Sequence, residues 1–226
     1  DIEALMECGI DLLIFTPDGS DALNSTIESV YEKIPVVAVG SEPETDAYTM
    51  VIQADDREIG KLAGEYILEN LYENGERIVV LEGVDGSPIS DKRLQGFKEA
   101  VRKKIPERDI TYYYGEWLRD MAELRMKDYL VVNENADIVF AFNDEMAYGA
   151  YSACQQFRVK TDTDFIGVDG FEGEIAGMNL VERGVLNATI QVPDFGALAY
   201  EKAMEILRGE EVDREITIVP RLIASD

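Results

Sequence analysis

The sequence predicts an α/β protein with doubly wound parallel sheets, and three observations support this fold class. Short β-branched runs alternate along the chain with longer amphipathic runs. The short runs are continuously apolar, as is typical of parallel strands that are buried on both faces. The length of 226 residues is large for one small domain and suits two lobes.

Nine apolar segments are predicted as strands because each is short and rich in β-branched residues. They are residues 10–16, 35–39, 49–53, 77–82, 110–114, 137–142, 164–168, 187–191 and 215–219.

Amphipathic helices are predicted between most of these strands. Ile59, Leu62, Ala63, Tyr66 and Ile67 recur at helical spacing and form one apolar stripe. Two further stripes lie within residues 23–31 and 195–207. Only loop separates the strands at 35–39 and 49–53, so this connection departs from the alternation.

Composition and charge exclude several classes of function. The formal charge is −25, from 46 acidic and 21 basic residues, and a surface this negative repels nucleic acid and anionic membranes. No apolar run approaches the ~20 residues of a membrane span, so direct membrane insertion is not expected. The chain contains no histidine, which removes the common zinc ligands and the Ser-His-Asp nucleophile systems. We therefore expect no metal site and no enzymatic activity.

Polar side chains follow several predicted strands at their carboxyl ends, where open α/β sheets bind ligands. Asn143, Asp169 and Gln191 occupy such positions, and Trp117 follows another strand. Carboxylates and amides complement hydroxyl groups, and an indole face covers the apolar face of a sugar ring. Asn143 is expected to face a ligand while Asp144 caps the next helix. Plain structural roles remain open for each residue, since turns also favour Asn and Asp.

Known phosphate-binding loops are absent from the chain. Neither G-x-x-x-x-G-K-[ST] nor G-x-G-x-x-G occurs, so no nucleotide cofactor is expected. The two GVDG tetrapeptides, at 83–86 and 167–170, are interpreted as tight strand-to-helix turns because an acidic glycine loop is a poor phosphate site.

Taken together, ordered segments along nearly the whole chain resemble the type I periplasmic binding protein superfamily, the ribose- and galactose-binding group. Effector domains of lactose-repressor-type regulators are relatives of this group. The segments are GIDLLIFTPDGSDAL, IPVVAV, ADDREIGKLAGEYI, RLQGFKEAV, ADIVFAFNDEMAYGA, DFIGVDGFE and GVLNATIQVP.

The resemblance implies two α/β lobes joined by a hinge, with a sugar-like solute in the cleft between them. The N-terminal lobe would comprise residues 1–75 plus 193–226, and the C-terminal lobe residues 76–192. Relatives begin with a strand–helix–strand unit, and the resemblance implies that this unit is missing here. Its absence would leave a hydrophobic sheet edge beside residues 11–15.

The resemblance also implies specific ligand-binding residues. Asn143, Asp169 and Gln191 match positions that contact sugar in relatives, and Trp117 falls where relatives place a stacking aromatic residue. Ser41 lies where the family has an Asp-Arg pair, and Asp91 lies near a family arginine, while Arg93 remains nearby. We include these last three as candidates with altered specificity: Ser41, Asp91 and Arg93.

The resulting expectation is a periplasmic or extracytoplasmic protein that binds a sugar or a similar polyhydroxylated solute. It would act by hinge closure as the substrate-binding component of an ABC-type transporter, with a membrane transporter or receptor protein as its partner. The alternative is a ligand-sensing domain of a lactose-repressor-type regulator or of a membrane sensor kinase.

Overall fold

The computed structural model describes residues 1–17, 19–157, 163–173 and 175–225. The strands are β1 (Leu13–Phe15), β2 (Val36–Gly40), β3 (Met50–Ala54), β4 (Ile78–Glu82), β5 (Ile110–Tyr114), β6 (Ile138–Ala141), β7 (Asp164–Asp169), β8 (Ala188–Gln191), β9 (Glu215–Ile218) and β10 (Arg221–Ala224). The α-helices are α1 (Ile2–Glu7), α2 (Asn24–Tyr31), α3 (Asp56–Tyr66), α4 (Pro88–Val101), α5 (Arg119–Val132), α6 (Asp144–Phe157), α7 (Gly177–Glu182) and α8 (Phe195–Leu207). Short 3₁₀ turns cover Asp21–Leu23 and Glu107–Asp109, and a π-helical turn covers Ile67–Leu71.

The chain divides into two compact units. The first unit comprises Asp1–Asp55 and Asp194–Ile218, and the second comprises Asp56–Pro193 and Val219–Asp226.

The first unit contains a four-stranded parallel sheet in the order β1-β2-β3-β9, covered on both faces. On one face, Ile27 and Val30 of α2 pack in the same core as Val36 of β2. Ala199 of α8 packs with Val37, the next residue of that strand, in a separate core. Successive strand residues point to opposite faces, so α2 and α8 cover the two sides of the sheet.

Strand β1 forms an edge of this sheet within the described residues. The exposed fraction of Ile14 is 44%. An apolar residue on an edge strand is thus accessible at the position where a hydrophobic edge was expected.

The second unit contains a six-stranded sheet in the order β10-β8-β7-β6-β4-β5. Phe97 of α4 packs on Phe140 of β6, with ring centroids 5.4 Å apart. Tyr151 of α6 meets Phe165 of β7 at 5.7 Å, and Phe165 pairs with Val139, the neighbour of Phe140. Helices α4 and α6 therefore cover opposite faces, which confirms the predicted doubly wound class.

Strand β10 is the one strand of the described sheets that the sequence pattern did not predict. It pairs antiparallel with β8, whereas all other strand pairs described are parallel. Its four residues are exposed or only half-buried, so they lack the continuous apolar pattern of the buried strands.

The compact units differ from the expected lobe boundary near residue 75 because α3 packs in the second unit. A Cβ atom added at Gly60 of α3 would overlap the Arg93 carbonyl oxygen, and one at Gly96 of α4 would overlap that of Arg57. Two glycines thus let the backbones of α3 and α4 approach closely. This contact and the pairing of β10 with β8 place residues 56–75 and 219–226 in the second unit.

Among the described residues, no helix combines the length and the apolar character needed to span a membrane. In the same residues, no cluster of three or more potential metal ligands occurs.

Candidate functional site

Three predicted ligand residues lie at the carboxyl ends of neighbouring strands in the second unit. Asp169 of β7 and Gln191 of β8 are paired directly across the sheet. Asn143 follows β6, the strand on the other side of β7. The structure therefore brings Asn143, Asp169 and Gln191 to one edge of one sheet, as the parallel arrangement requires.

Asn143 caps α6 with its own side chain. Its Oδ1 atom accepts a hydrogen bond of 2.8 Å from the Met146 backbone N–H, and its amide donates one of 3.1 Å to the Trp117 carbonyl oxygen. The expectation that Asp144 would provide the cap is wrong, because the Asp144 carboxyl group is buried elsewhere. Asn143 still has a second amide N–H, so a structural role and a ligand contact are compatible.

Trp117 is held by its backbone and by a close glycine. Glu116 and Trp117 both have left-handed backbone conformations, with φ of 56° and 64°. Such conformations are costly for residues with large side chains, and in functional sites they are held by the surrounding structure. A Cβ atom at Gly83 would overlap the indole ring, so only glycine at the end of β4 leaves room for it.

Arg93 is buried and connects several parts of this site. Its Nε donates to Asp56 Oδ1 at 2.9 Å, and a terminal nitrogen donates to the Phe142 carbonyl oxygen. The guanidinium carbon lies 5.6 Å from the centre of the Trp117 ring, within cation–π range. The positive charge of Arg93 also stabilises the ionised form of Asp169. Arg93 is thus a fixed cation beside the predicted ligand residues.

Gln191 is partly committed to its surroundings. Its amide nitrogen donates to the Gly170 carbonyl oxygen at 3.3 Å, and its Oε1 accepts from Arg221 of β10 at 2.7 Å. The unpredicted strand β10 therefore orients one of the predicted ligand side chains.

Of the remaining two candidates, one lies on α4 and the other in the first unit. Asp91 is exposed on α4 and lines a surface groove of about 440 Å³ with Leu94, Lys98 and Glu107. Ser41 belongs to the first unit, where it is buried and its hydroxyl donates to the Pro17 carbonyl oxygen at 3.3 Å.

Besides Asp56, which binds Arg93, two more buried carboxyl groups were not predicted as parts of the site. Glu82 ends β4 and is 6% exposed, and burial raises its pKa. Asp144 is 5% exposed and accepts hydrogen bonds from the Gly170 N–H and the Thr189 hydroxyl. An acidic residue directly after a continuous apolar run was the available signal for Glu82, whereas the partners of Asp144 are distant in sequence.

Burial controls the ionisation of both acidic side chains near the β7 tip. It raises the pKa of Asp169 to about 6. The positive charge of Arg93 lowers this pKa, and the negative charges of Glu145 and Asp56 raise it by smaller amounts. Burial raises the pKa of Asp144 to about 7, although the hydrogen bonds from Thr189 and Gly170 oppose this, and the charges of Asp169 and Glu145 add to it. Desolvation disfavours the charged form of each group.

The raised pKa of Asp144 predicts a pH-dependent gain in stability for Asp144→Asn. In the folded protein the pKa of Asp144 is about 7, above the ordinary 3.8. Protonation of Asp144 therefore stabilises the fold fully below about pH 4, and this contribution is lost as pH rises to 7. An uncharged amide avoids this loss. From pH 5 to pH 8, the free energy of unfolding of the variant should rise by about 2–3 kcal/mol relative to that of wild type, measured by urea unfolding. A stability difference that is the same at both pH values would contradict the assignment.

Comparison with known proteins gives the family. A model of the periplasmic binding protein domain matches residues 1–211. The ribose import binding protein RbsB of Bacillus subtilis (strain 168) is 30% identical over 220 residues, which cover 96% of this chain and 70% of that protein. The xylitol-binding protein of Mycolicibacterium smegmatis is 28% identical, with 100% of this chain and 64% of that protein covered.

A solved structure shows the same similarity in three dimensions. The fructose binding periplasmic domain of the hybrid two component system BT1754 is 32% identical and superimposes with a TM-score of 0.88. The match covers 99% of this chain and 74% of that one. The resemblance found in the sequence is therefore confirmed, and the chain belongs to the periplasmic binding protein domain family.

Proposed function

We propose that this protein binds a sugar or a similar polyhydroxylated solute and acts as the substrate-binding component of an ABC-type transporter. The observation that carries the proposal is the placement of Asn143, Asp169 and Gln191 on adjacent strand tips. Trp117 joins this group because its carbonyl oxygen accepts a hydrogen bond from Asn143. Arg93 joins it through the cation–π contact with the Trp117 ring.

The hydrogen-bonding capacity of this group matches a ring bearing several hydroxyls. The Asp169 carboxylate accepts hydrogen bonds, while the Asn143 amide retains a donor. The indole face of Trp117 offers an apolar surface for the C–H side of the ring. Vicinal hydroxyl groups on one face of a pyranose or furanose need both a hydrogen-bond acceptor and a hydrogen-bond donor.

Relatives of known specificity support a neutral carbohydrate. The similar proteins are named for ribose, xylitol and fructose. The formal charge of −25 and the acidic groups Asp56, Asp169 and Glu82 in the second unit disfavour sugar acids and sugar phosphates. The family resemblance places an Asp-Arg pair at Gly40-Ser41 and an arginine near Asp91, and these differences favour a specificity different from that for ribose.

Ligand-linked closure of the two lobes is part of this proposal, as is the interlobe cleft implied by the family resemblance. The chain passes from one compact unit to the other at residues 55–56, 193–194 and 218–219, so these three points are the candidate hinge. A ligand that contacts the closed state better shifts the population toward it, and the closed form is then presented to a transporter. We propose an extracytoplasmic location and binding without turnover.

A sensory role is the second candidate. The fructose binding domain of a two component system matches with a TM-score of 0.88 at 32% identity, so the same fold also serves signalling. In that case the partner would be a membrane receptor rather than a transporter, with the same ligand chemistry.

A thermal-shift screen tests the ligand class. Ribose, fructose, xylitol and arabinose are compared with glucuronate and ribose 5-phosphate. At 100 times Kd, a bound ligand adds about 2.7 kcal/mol to the free energy of unfolding and raises the midpoint by several degrees. We expect at least one neutral compound to raise it and both anions to leave it unchanged. A response confined to the anions would overturn the proposal.

Candidate binding residues can be examined in the same screen. Asn143→Ala should abolish the shift, because it removes a ligand donor and the hydrogen bond that holds the Trp117 backbone. The exposed Asp120 in the first turn of α5 offers a control, and Asp120→Ala should respond as wild type does. If Asn143→Ala responds fully, this residue does not belong to the site.

A further inference from the structure

Asp144 joins the tips of two strands that carry the proposed ligand residues. It is the first residue of α6. One carboxyl oxygen accepts from the Gly170 N–H at 2.8 Å, and the other accepts from the Thr189 hydroxyl at 2.7 Å. Gly170 directly follows Asp169, and Thr189 precedes Gln191 by two residues. One side chain thus connects the tip of β7 and the second residue of β8 to the start of α6.

The backbone around Asp144 leaves space for this carboxyl group only where glycine occurs. A Cβ atom at Gly167 of β7 would overlap it, and so would one at Gly177, the first residue of α7. Three elements therefore pack around one polar group, which is 5% exposed.

A direct ligand contact does not account for Asp144. Both of its oxygens are engaged inside the protein, and the residue is almost fully buried. A buried carboxyl group is costly unless its hydrogen bonds are formed, so the conformation that satisfies it is favoured over others. That conformation reinforces the β7–β8 pairing, which sets Asp169 directly opposite Gln191.

We propose that Asp144 is a positioning residue of the ligand site, which holds the β7 and β8 tips so that Asp169 and Gln191 meet one ligand together. This inference rests on the proposed sugar-binding function. Its consequence is that affinity depends on a group the ligand never touches.

Both protonation states of Asp144 can hold the two tips. The ionised form accepts from Gly170 and Thr189, and the neutral acid can accept from Gly170 while donating to the Thr189 oxygen. Asp144→Asn reproduces the second pattern, with its carbonyl oxygen toward Gly170 and its amide toward Thr189. Asp144→Ala removes both hydrogen bonds and leaves a small cavity.

Charges around both groups define the expected pH effect. Asp169 and Glu145 act on Asp144, while Arg93, Glu145 and Asp56 act on Asp169. Because the pKa of Asp144 is about 7, its carboxyl group is still largely neutral when Asp169 ionises near pH 6, so Asp144→Asn should leave the pKa of Asp169 nearly unchanged. The acid limb of the affinity profile, which follows ionisation of Asp169, should therefore stay at the same pH in this variant.

Calorimetric titration with D-fructose and hydrogen exchange of the ligand-free protein test this inference together. Asp144→Ala should weaken binding about tenfold or more, because it leaves the Gly170 N–H and the Thr189 hydroxyl without their buried partner. Asp144→Asn should bind within about threefold of wild type, with an unchanged acid limb. Exchange at Gly170 and at residues 189–192 should rise in Asp144→Ala and not in Asp144→Asn, while exchange in β4 stays unchanged.

Thr189→Val, with Thr189→Ser as its matched control, repeats the comparison if Asp144→Ala fails to fold. Wild-type affinity and exchange in both Asp144→Ala and Thr189→Val would overturn the positioning role. Increased exchange at the two tips in a protein that binds no compound of the neutral panel would support the positioning role and refute the proposed function. Unchanged hydrogen exchange in the variants of a protein that binds D-fructose would refute the positioning role and support the proposed function.

Discussion

Asp169→Ala is expected to abolish sugar binding almost completely. The carboxylate lies between Asn143 and Gln191 on the central strand tip of the group. A hydrogen bond to a charged group is worth about 1.5–3 kcal/mol, so two such bonds to ligand hydroxyls correspond to a loss of roughly 100-fold or more in affinity. Isothermal titration with the tightest sugar of the neutral panel measures the change.

Asp169→Asn separates the charge from the shape in this experiment. The amide keeps the size of the side chain and one acceptor oxygen, so its affinity should fall between those of wild type and Asp169→Ala. Asp120→Ala should again bind as wild type. Retained affinity in Asp169→Ala, with an unfolding midpoint equal to that of wild type, would remove Asp169 from the site.

Gly96→Ala is expected to destabilise the second unit strongly. The added methyl group would overlap the Arg57 carbonyl oxygen on α3, which is backbone and has little freedom to move. Overpacking of this kind costs about 1–3 kcal/mol and occasionally more, and backbone contact favours the upper end. An unfolding midpoint about 6–12 °C lower than wild type follows for a protein of this size, measured by calorimetry.

Gly196→Ala is a matched control in the first turn of α8. A Cβ atom there meets only the Asp194 carboxylate oxygen at 3.2 Å, and alanine favours the helix. Its midpoint should equal or slightly exceed that of wild type. If Gly96→Ala were equally harmless, α3 and α4 would not approach as closely as their two glycines indicate.

Buried elements were the most predictable part of this fold. Continuous apolar runs such as 77–82 and 137–142 predict strands, because a strand covered on both faces has no polar side. Strand β10 was not predicted, because its residues are exposed or half-buried and it pairs at a sheet edge, so it lacks a continuous apolar run. The unit to which α3 belongs depends on a close contact between two distant glycines, which spacing alone does not show.

Strand ends were predictable, but the roles of their side chains only partly. Parallel topology places Asn143, Asp169 and Gln191 together once the strands are assigned. Asn143 rather than Asp144 caps α6 because the Asp144 carboxyl group binds Gly170 and Thr189, which lie 26 and 45 residues further along the chain. Long-range hydrogen bonds of this kind leave no local pattern in the sequence.

Trp117 is the chain's single tryptophan, so its indole N–H gives one resonance in a ¹H–¹⁵N spectrum and reports directly on the proposed site. Titration with the tightest neutral sugar should shift this resonance with the same midpoint as calorimetry, and the shift should be lost in Asp169→Ala. Calorimetric saturation by that sugar with an unchanged indole resonance would place the ligand elsewhere and contradict the proposed binding at these strand tips.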